Sequence, residues 1–146
     1  MAPIDWLVGV CGAVLIGSLW LPWYRGHGTV NAWQAMAVND VIFLIVGCLA
    51  IAVVVVTASQ VSGAIPIATV TATAIGATLA VVLAVIRLIW PPDIGPGPTD
   101  RAAGVFIGAA AALALAVTSW LDMRDERRGA YEVEITVLPA PNGSGV

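Results

Sequence analysis

The segment PWYRGHGTVNAWQAMAVND, residues Pro22 to Asp40, decides the fold. It is the only long internal segment that is neither uniformly apolar nor a simple turn, and it contains two Trp residues, one Tyr and the only His of the chain. Apolar segments lie on both sides of it. A polar, aromatic segment in this position is typical of a loop at a membrane surface. We therefore expect this segment, here called the cap, to cover one end of a bundle of membrane helices.

Composition assigns the chain to the integral membrane proteins. Hydrophobic residues make up 60% of the 146 residues and charged residues 10%, and the mean hydropathy is +0.96. Such a chain has too little polar surface to cover a soluble globule. A spanning helix needs about 20 apolar residues, so four spans with short connections use nearly the whole length. A transmembrane barrel is excluded because the apolar segments lack alternating polar positions.

The apolar segments predict an all-α membrane domain of four transmembrane helices over residues 1–128. The expected spans cover approximately residues 6–21, 41–58, 66–89 and 102–121. Pro22 ends the first span and Asp40, with the preceding Asn39, is expected to cap the second. The turn at 59–63 is short, which predicts an antiparallel hairpin of the second and third spans. Thr99 or Asp100 is expected to cap the fourth span.

Small residues recur every four positions in three of the spans. This spacing lets helix backbones approach closely in lipid. The third and fourth spans carry the longest series, so we expect these two helices to face each other, with Gly76, Gly104 and Gly108 as packing positions. The series are Gly9, Ala13 and Gly17; Ala68, Ala72, Gly76, Ala80 and Ala84; and Gly104, Gly108, Ala112 and Ala116.

The cap supplies the candidate contact residues Trp23, Tyr24, Trp33 and Gln34. A short interfacial helix is expected over residues 31–38, and Gly26 to Gly28 is expected to form a turn around His27. Trp residues near both ends of the spans are typical of the two aromatic belts of a spanning protein.

Asp40 and Arg87 form the candidate polar pair. Asp40 opens the second span from the cap side, and the third span returns to that side with Arg87 about one turn before Trp90. Opposite charges on neighbouring helices therefore reach a similar depth, and pairing would ease the desolvation of the short Asp side chain. The alternative is that Arg87 extends to the headgroups on its own.

The C-terminal tail, residues 129–146, follows a charged exit from the fourth span. Alternating apolar and polar residues over 131–137 predict a short strand, and the remaining residues predict a disordered end. The cluster Arg124, Arg127 and Arg128 adjoins the fourth span. When Arg87 is assigned to its helix, this side carries more Arg, so the positive-inside rule predicts cytoplasmic termini and an extracytoplasmic cap.

The sequence lacks the residues that common metal, phosphate and nucleic-acid sites require. One His and two separated Cys residues do not supply an ordinary metal site, and no acidic residue lies in the middle of a span. The chain contains no Lys for a phosphate-binding loop and no basic patch for nucleic acid. We therefore expect no cofactor and no enzymatic activity. A row of Thr residues in the third span, Thr69, Thr71, Thr73 and Thr78, either lines a polar path or bonds backbone carbonyls.

A set of short motifs carries a resemblance to a known group. The motifs are Leu21-Pro22-Trp23-Tyr24, Asn31-Ala32-Trp33-Gln34-Ala35, Asp40, Arg87-Leu88 and the segment Trp120 to Glu126. The chain resembles small uncharacterised four-helix integral membrane proteins of high-GC Gram-positive bacteria, a group with no established activity. The resemblance implies a multi-pass plasma-membrane protein and implies nothing about mechanism.

The leading functional hypothesis is a non-enzymatic accessory or assembly subunit. It would contact lipid and other membrane proteins, or further copies of itself, through its small-residue helix faces. One alternative is a small transporter or channel subunit that uses the Thr-bearing helix. Another is a membrane enzyme that acts on a lipid or quinone at the cap, with Asp40, Arg87 and His27.

Overall fold

The computed structural model describes residues 3–26, 28–35, 37–59, 64–95 and 98–137. These residues are mostly helical and include one small sheet. The helices are α1 (Pro3–Ser18), α2 (Ala32–Ala35), α3 (Ala37–Ala58), α4 (Ala64–Ile89) and α5 (Ala103–Val137). The strands are β1 (Pro22–Arg25), β2 (Thr29–Asn31) and β3 (Asp100–Arg101).

Within the described residues, three helices are long and apolar enough to cross a membrane: Val38–Ala58, Ile67–Ile89 and Ala103–Arg124. This supports the membrane class that composition predicted. The first apolar helix is shifted relative to the predicted span of residues 6–21. α1 begins at Pro3 and ends at Ser18 rather than near residue 21, and it has 16 residues. Leu19, Trp20 and Leu21 each donate a backbone hydrogen bond to the carbonyl three residues earlier, which tightens the chain into a turn.

The four longer helices pack in a closed ring. α1 contacts α3 and α5, and α4 contacts the same two helices. Neighbours run antiparallel: Gly9 approaches Val54 and Gly12 approaches Ala50, so residue numbers rise along α1 as they fall along α3. The α5 span is the most enclosed, with 44% of it buried against 28% for each of the other two spans. α5 is therefore the most enclosed of these three helices, and α3 and α4 present wide apolar outer faces.

The expected contact between the third and fourth spans is present, since α4 packs more extensively on α5 than on any other helix. The buried small residues of α4 match the predicted series only in part. Ala68 and Ala72 are exposed. A strict four-residue spacing turns by about 40° at each step, because the helix has about 3.6 residues per turn, and the long series therefore does not stay on one face. The buried alanines of α4 follow one another at spacings of three, three and four residues, and the last two belong to the predicted series: Ala74, Ala77, Ala80 and Ala84.

A three-stranded antiparallel sheet covers one end of the ring, where the sequence predicted a loop with one short helix. Its order is β2-β1-β3. Arg25 pairs with Thr29 of β2 and Tyr24 with Arg101 of β3, and the register shifts between Pro22 and Tyr24. The sheet thus joins the cap to the loop that precedes α5, which places both on the same side, as predicted.

Three local predictions need correction. α3 begins at Ala37, so Asp40 lies in its first turn rather than at its cap. Asp100 belongs to β3 and does not cap α5. The predicted strand over 131–137 is wrong, because α5 continues to Val137. A helix satisfies its own backbone hydrogen bonds, whereas an isolated strand needs a partner. His27, Met36 and residues 138–146 lie outside the described residues.

Candidate functional site

Trp23 anchors the sheet to the helices. Its side chain is fully buried, its indole Nε1 donates to the Ser18 carbonyl over 2.7 Å, and its own carbonyl accepts from the Ala102 amide over 2.8 Å. The indole lies on α5 at two glycines. A Cβ atom at Gly104 would stand 2.5 Å from the indole Cδ1, and one at Gly108 would stand 2.7 Å from Cζ2. A side chain at either position would overlap the indole ring, so only glycine fits at both.

The three glycines predicted as helix-packing positions all lie at close contacts, although they do not meet one another. Gly104 and Gly108 face Trp23 rather than α4. Gly76 faces α3, where an added Cβ would stand 3.0 Å from Cγ2 of Val46. The small-residue pattern thus identified tight sites, and an aromatic side chain from the cap fills the one on α5.

The C-terminal end of α4 is completed by side chains from the sheet. Helix carbonyls accept from the amide four residues later, but residues 91 and 92 are prolines and have no N–H to donate to Arg87 and Leu88. The Tyr24 hydroxyl donates to the Arg87 carbonyl over 3.2 Å. Arg101 donates to the Leu88 carbonyl through Nε and to the Ile89 carbonyl through Nη2, the latter over 3.2 Å. The Arg101 cation also matches the negative end of the helix dipole.

Tyr24 is fully buried beside charged groups. Burial raises the pKa of its hydroxyl, the cations Arg87 and Arg101 oppose this rise, and the Asp40 carboxylate adds to it. The phenol therefore stays neutral at physiological pH and keeps its proton for the Arg87 carbonyl. These interactions also place Tyr24, Asp40, Arg87 and Arg101 in one polar cluster where the sheet meets the end of α4.

Asp40 is the least satisfied member of this polar cluster. Its side chain is 0% exposed, and neither carboxylate oxygen has a hydrogen-bond partner among the described residues. The Arg87 Nε is likewise buried without a hydrogen-bond partner in the described part of the chain, and the two side chains are close enough for electrostatic attraction. The structure thus makes Asp40 and Arg87 neighbours, and their direct ion pair stays a prediction. A buried polar atom without a hydrogen bond is costly, which makes this cluster the strongest candidate site.

Trp33 and Gln34, the other two predicted contact residues of the cap, pack or bond within the cap itself. Trp33 is half-buried and packs edge-on against Trp20 at the end of α1, with ring centroids 5.9 Å apart. Gln34 is exposed and forms a reciprocal capping box with Asn31. The Gln34 backbone N–H donates to Asn31 Oδ1 over 3.0 Å, and the Asn31 backbone N–H donates to Gln34 Oε1 over 3.2 Å. The two residues therefore cap the N-terminus of α2, as the N-x-x-Q spacing indicates.

The hydroxyls of α4 bond mainly within the protein. Thr73 donates to the Thr69 carbonyl and Thr78 to the Ala74 carbonyl, each over 2.8 Å. The Thr71 hydroxyl lies 3.8 Å from the Met123 sulfur. These contacts match the second interpretation of the Thr row, bonding to backbone and neighbouring helices. Among the described residues no group of three or more His, Cys, Asp or Glu side chains is placed to hold a metal ion.

A double-mutant cycle tests the coupling of Asp40 and Arg87. We expect Asp40→Asn and Arg87→Gln each to lower thermal stability in detergent, because each leaves the other charge without its attraction. The double variant should lose less than the sum, by about 0.5 to 3 kcal/mol. Arg25→Gln is the control, since Arg25 is exposed on the sheet, and its effect should add to that of Asp40→Asn. Strict additivity of Asp40→Asn and Arg87→Gln would contradict the coupling.

The chain was compared with models of protein families, with curated proteins and with solved structures, and none of the three comparisons gives a significant match.

Proposed function

We propose that the protein is a multi-pass plasma-membrane protein with four spanning helices, and that it acts as a non-enzymatic accessory or assembly subunit. The fourth span is α1. Although α1 has only 16 residues, it packs antiparallel along α3, a helix that is itself long enough to span. A short helix can span where neighbours and the local bilayer adapt to it.

One observation carries the proposed role. An open apolar groove of about 300 Å³ lies between α1 and α3. Its lining includes the small residues Gly9 and Ala13. At Gly17, further along α1, a Cβ would meet no described atom within 4 Å apart from its own neighbouring helix backbone. The other lining residues are Trp6, Val10, Ile51, Val54 and Val55.

A groove lined in part by small residues suits a helix from another membrane protein. In lipid, helices associate through close packing rather than through the hydrophobic effect, and small residues permit the closest approach. Gly9 itself packs against α3 within the protein, because an added Cβ would meet Val54. Ala13 and Gly17 remain on the outer face. We infer that these two residues and the groove form the docking face for a partner helix.

A small transporter or channel subunit is the second candidate, and Asp40 is the observation that favours it. Ionisable residues within membrane segments commonly mark ion or proton paths. Asp40 lies in the first turn of a span and is buried without a hydrogen bond. Its position near the sheet, rather than at mid-span, favours the accessory role.

We also propose that the termini are cytoplasmic and the cap extracytoplasmic. Of the three Arg residues on the cap side, Arg87 belongs to the buried cluster and Arg101 is bound to the α4 carbonyls. Arg25 is then the only remaining cation of the cap side, against the exit cluster Arg124, Arg127 and Arg128. This imbalance supports the orientation through the positive-inside rule.

Substitution of Ala13 tests the docking face. We expect Ala13→Leu to fill the groove and to remove a stoichiometric partner, either a second copy or another membrane protein, from protein extracted in native lipid. Native mass spectrometry measures the stoichiometry. Ala72→Leu is the matched control, because Ala72 is an exposed helix position on α4, and it should keep the partner. A wild-type protein that is monomeric and alone, or an Ala13→Leu variant that keeps its partner, would contradict the proposal.

Thiol labelling in intact cells tests the orientation. In a background without Cys11 and Cys48, Gly26→Cys should react with a membrane-impermeant reagent, while Arg128→Cys should react only after lysis. Position 26 tolerates a side chain, because an added Cβ would lie at an ordinary 3.4 Å from Ile94. Labelling in the opposite pattern at both positions would place the cap in the cytoplasm.

A further inference from the structure

The exit of α5 from its span carries a basic face. α5 remains helical through Val137, and residues three and four apart in a helix share a face. Arg124, Arg127 and Arg128 have this spacing. Arg124 is exposed where the helix leaves the span.

The positions of Asp122, Asp125 and Glu126 share a different face of the helix, because they have the same three- and four-residue spacing among themselves. The Asp122 side chain is only 3% exposed and therefore faces the ring, whereas Arg124 is exposed.

The basic face continues directly into an apolar groove on α5. The groove has a volume of about 320 Å³, and Arg124 closes one end of it. Trp120, one turn before Arg124, forms a wall, and the Trp120 Nε1 donates to the Thr78 hydroxyl over 3.1 Å, which fixes the ring against α4. The other lining residues are Ala116, Val117 and Leu121. Val117 and Leu121 are 51% and 45% exposed, so the groove opens outward.

We propose that this surface, the α5 groove together with the basic face, binds one phospholipid with an anionic headgroup. Arg124 contacts the phosphate, and the positions of Arg127 and Arg128 extend the same positive surface. Guanidinium groups bind phosphate oxygens in a bidentate manner. An acyl chain lies over Ala116, between Trp120 and the aliphatic side chains of Val117 and Leu121.

The combination of an apolar groove and Arg residues selects this ligand. A soluble phosphate gains nothing from the apolar walls, and a zwitterionic lipid carries no net charge for the basic face to attract. Basic residues beside the end of a membrane helix attract anionic lipids at about 1 kcal/mol per residue, which corresponds to about a fivefold change in affinity. The site lies at the end of the ring opposite the sheet, so it is independent of the Asp40 cluster and of the groove between α1 and α3.

Quenching of Trp fluorescence by brominated lipids tests the site. Purified full-length protein in detergent micelles is titrated with phosphatidylglycerol or phosphatidylcholine that carries bromine on its acyl chains. We expect phosphatidylglycerol to quench at a lower mole fraction, with part of the quenching absent in Trp120→Phe. Arg124→Gln should weaken the phosphatidylglycerol response about fivefold, and the triple variant with Arg127→Gln and Arg128→Gln should lose the preference.

The control is Arg25→Gln, an exposed Arg at the sheet end, which should keep the preference. Retained thermal stability of the Arg variants confirms that they fold. Equal quenching by both lipids in the wild-type protein, or an unchanged preference in the triple variant, would overturn the proposal. Full displacement of phosphatidylglycerol by soluble glycerol phosphate would assign the site to a soluble anion and would overturn it as well.

Discussion

The burial of the Trp23 indole is the interaction on which the rest of the structure depends. The ring lies against α5 at Gly104 and Gly108, and its centroid is 5.9 Å from that of Phe43 in α3. Its N–H bonds the carbonyl of Ser18, the last residue of α1. One side chain thus contacts three helices and carries the central strand of the sheet. Aromatic side chains combine a large buried area with a specific polar contact, which suits Trp to this position.

The position of Trp23 determines the position of the polar cluster. Tyr24 follows it in β1 and is directed to the end of α4, where consecutive prolines leave helix carbonyls without amide donors. The sheet therefore replaces the missing hydrogen bonds of α4 and, by the same contacts, encloses Asp40 near Arg87. At the opposite end, α5 leaves the ring with Arg124 exposed and Asp122 buried. The two ends of the molecule therefore differ in chemistry: a polar cluster around the buried Asp40 at one and the exposed Arg124 at the other.

The sequence alone predicted the helices well and the contacts between them less well. Long apolar runs suffice to locate α3, α4 and α5, and aromatic content suffices to identify the cap. The sheet was not predicted, because strands of four, three and two residues have no measurable periodicity and β1 pairs with a strand about 75 residues away. The need for hydrogen-bond donors at the end of α4 could also have been predicted, since Pro91 and Pro92 leave the carbonyls of Arg87 and Leu88 without backbone N–H partners. Residues 131–137 alternate like a strand, but pairing partners rather than alternation decide whether a strand forms.

A single added methyl group tests the role of Trp23 most directly. In Gly104→Ala the new Cβ would stand 2.5 Å from the indole and 2.6 Å from the Pro22 carbonyl oxygen, so the ring or the strand must shift. We expect the free energy of unfolding to fall by about 1 to 3 kcal/mol, measured by thermal or denaturant unfolding in detergent. Gly17→Ala adds the same methyl where, apart from the neighbouring backbone of α1, no described atom lies within 4 Å, and it should leave stability unchanged or slightly higher. A Gly104→Ala variant as stable as Gly17→Ala would contradict the account.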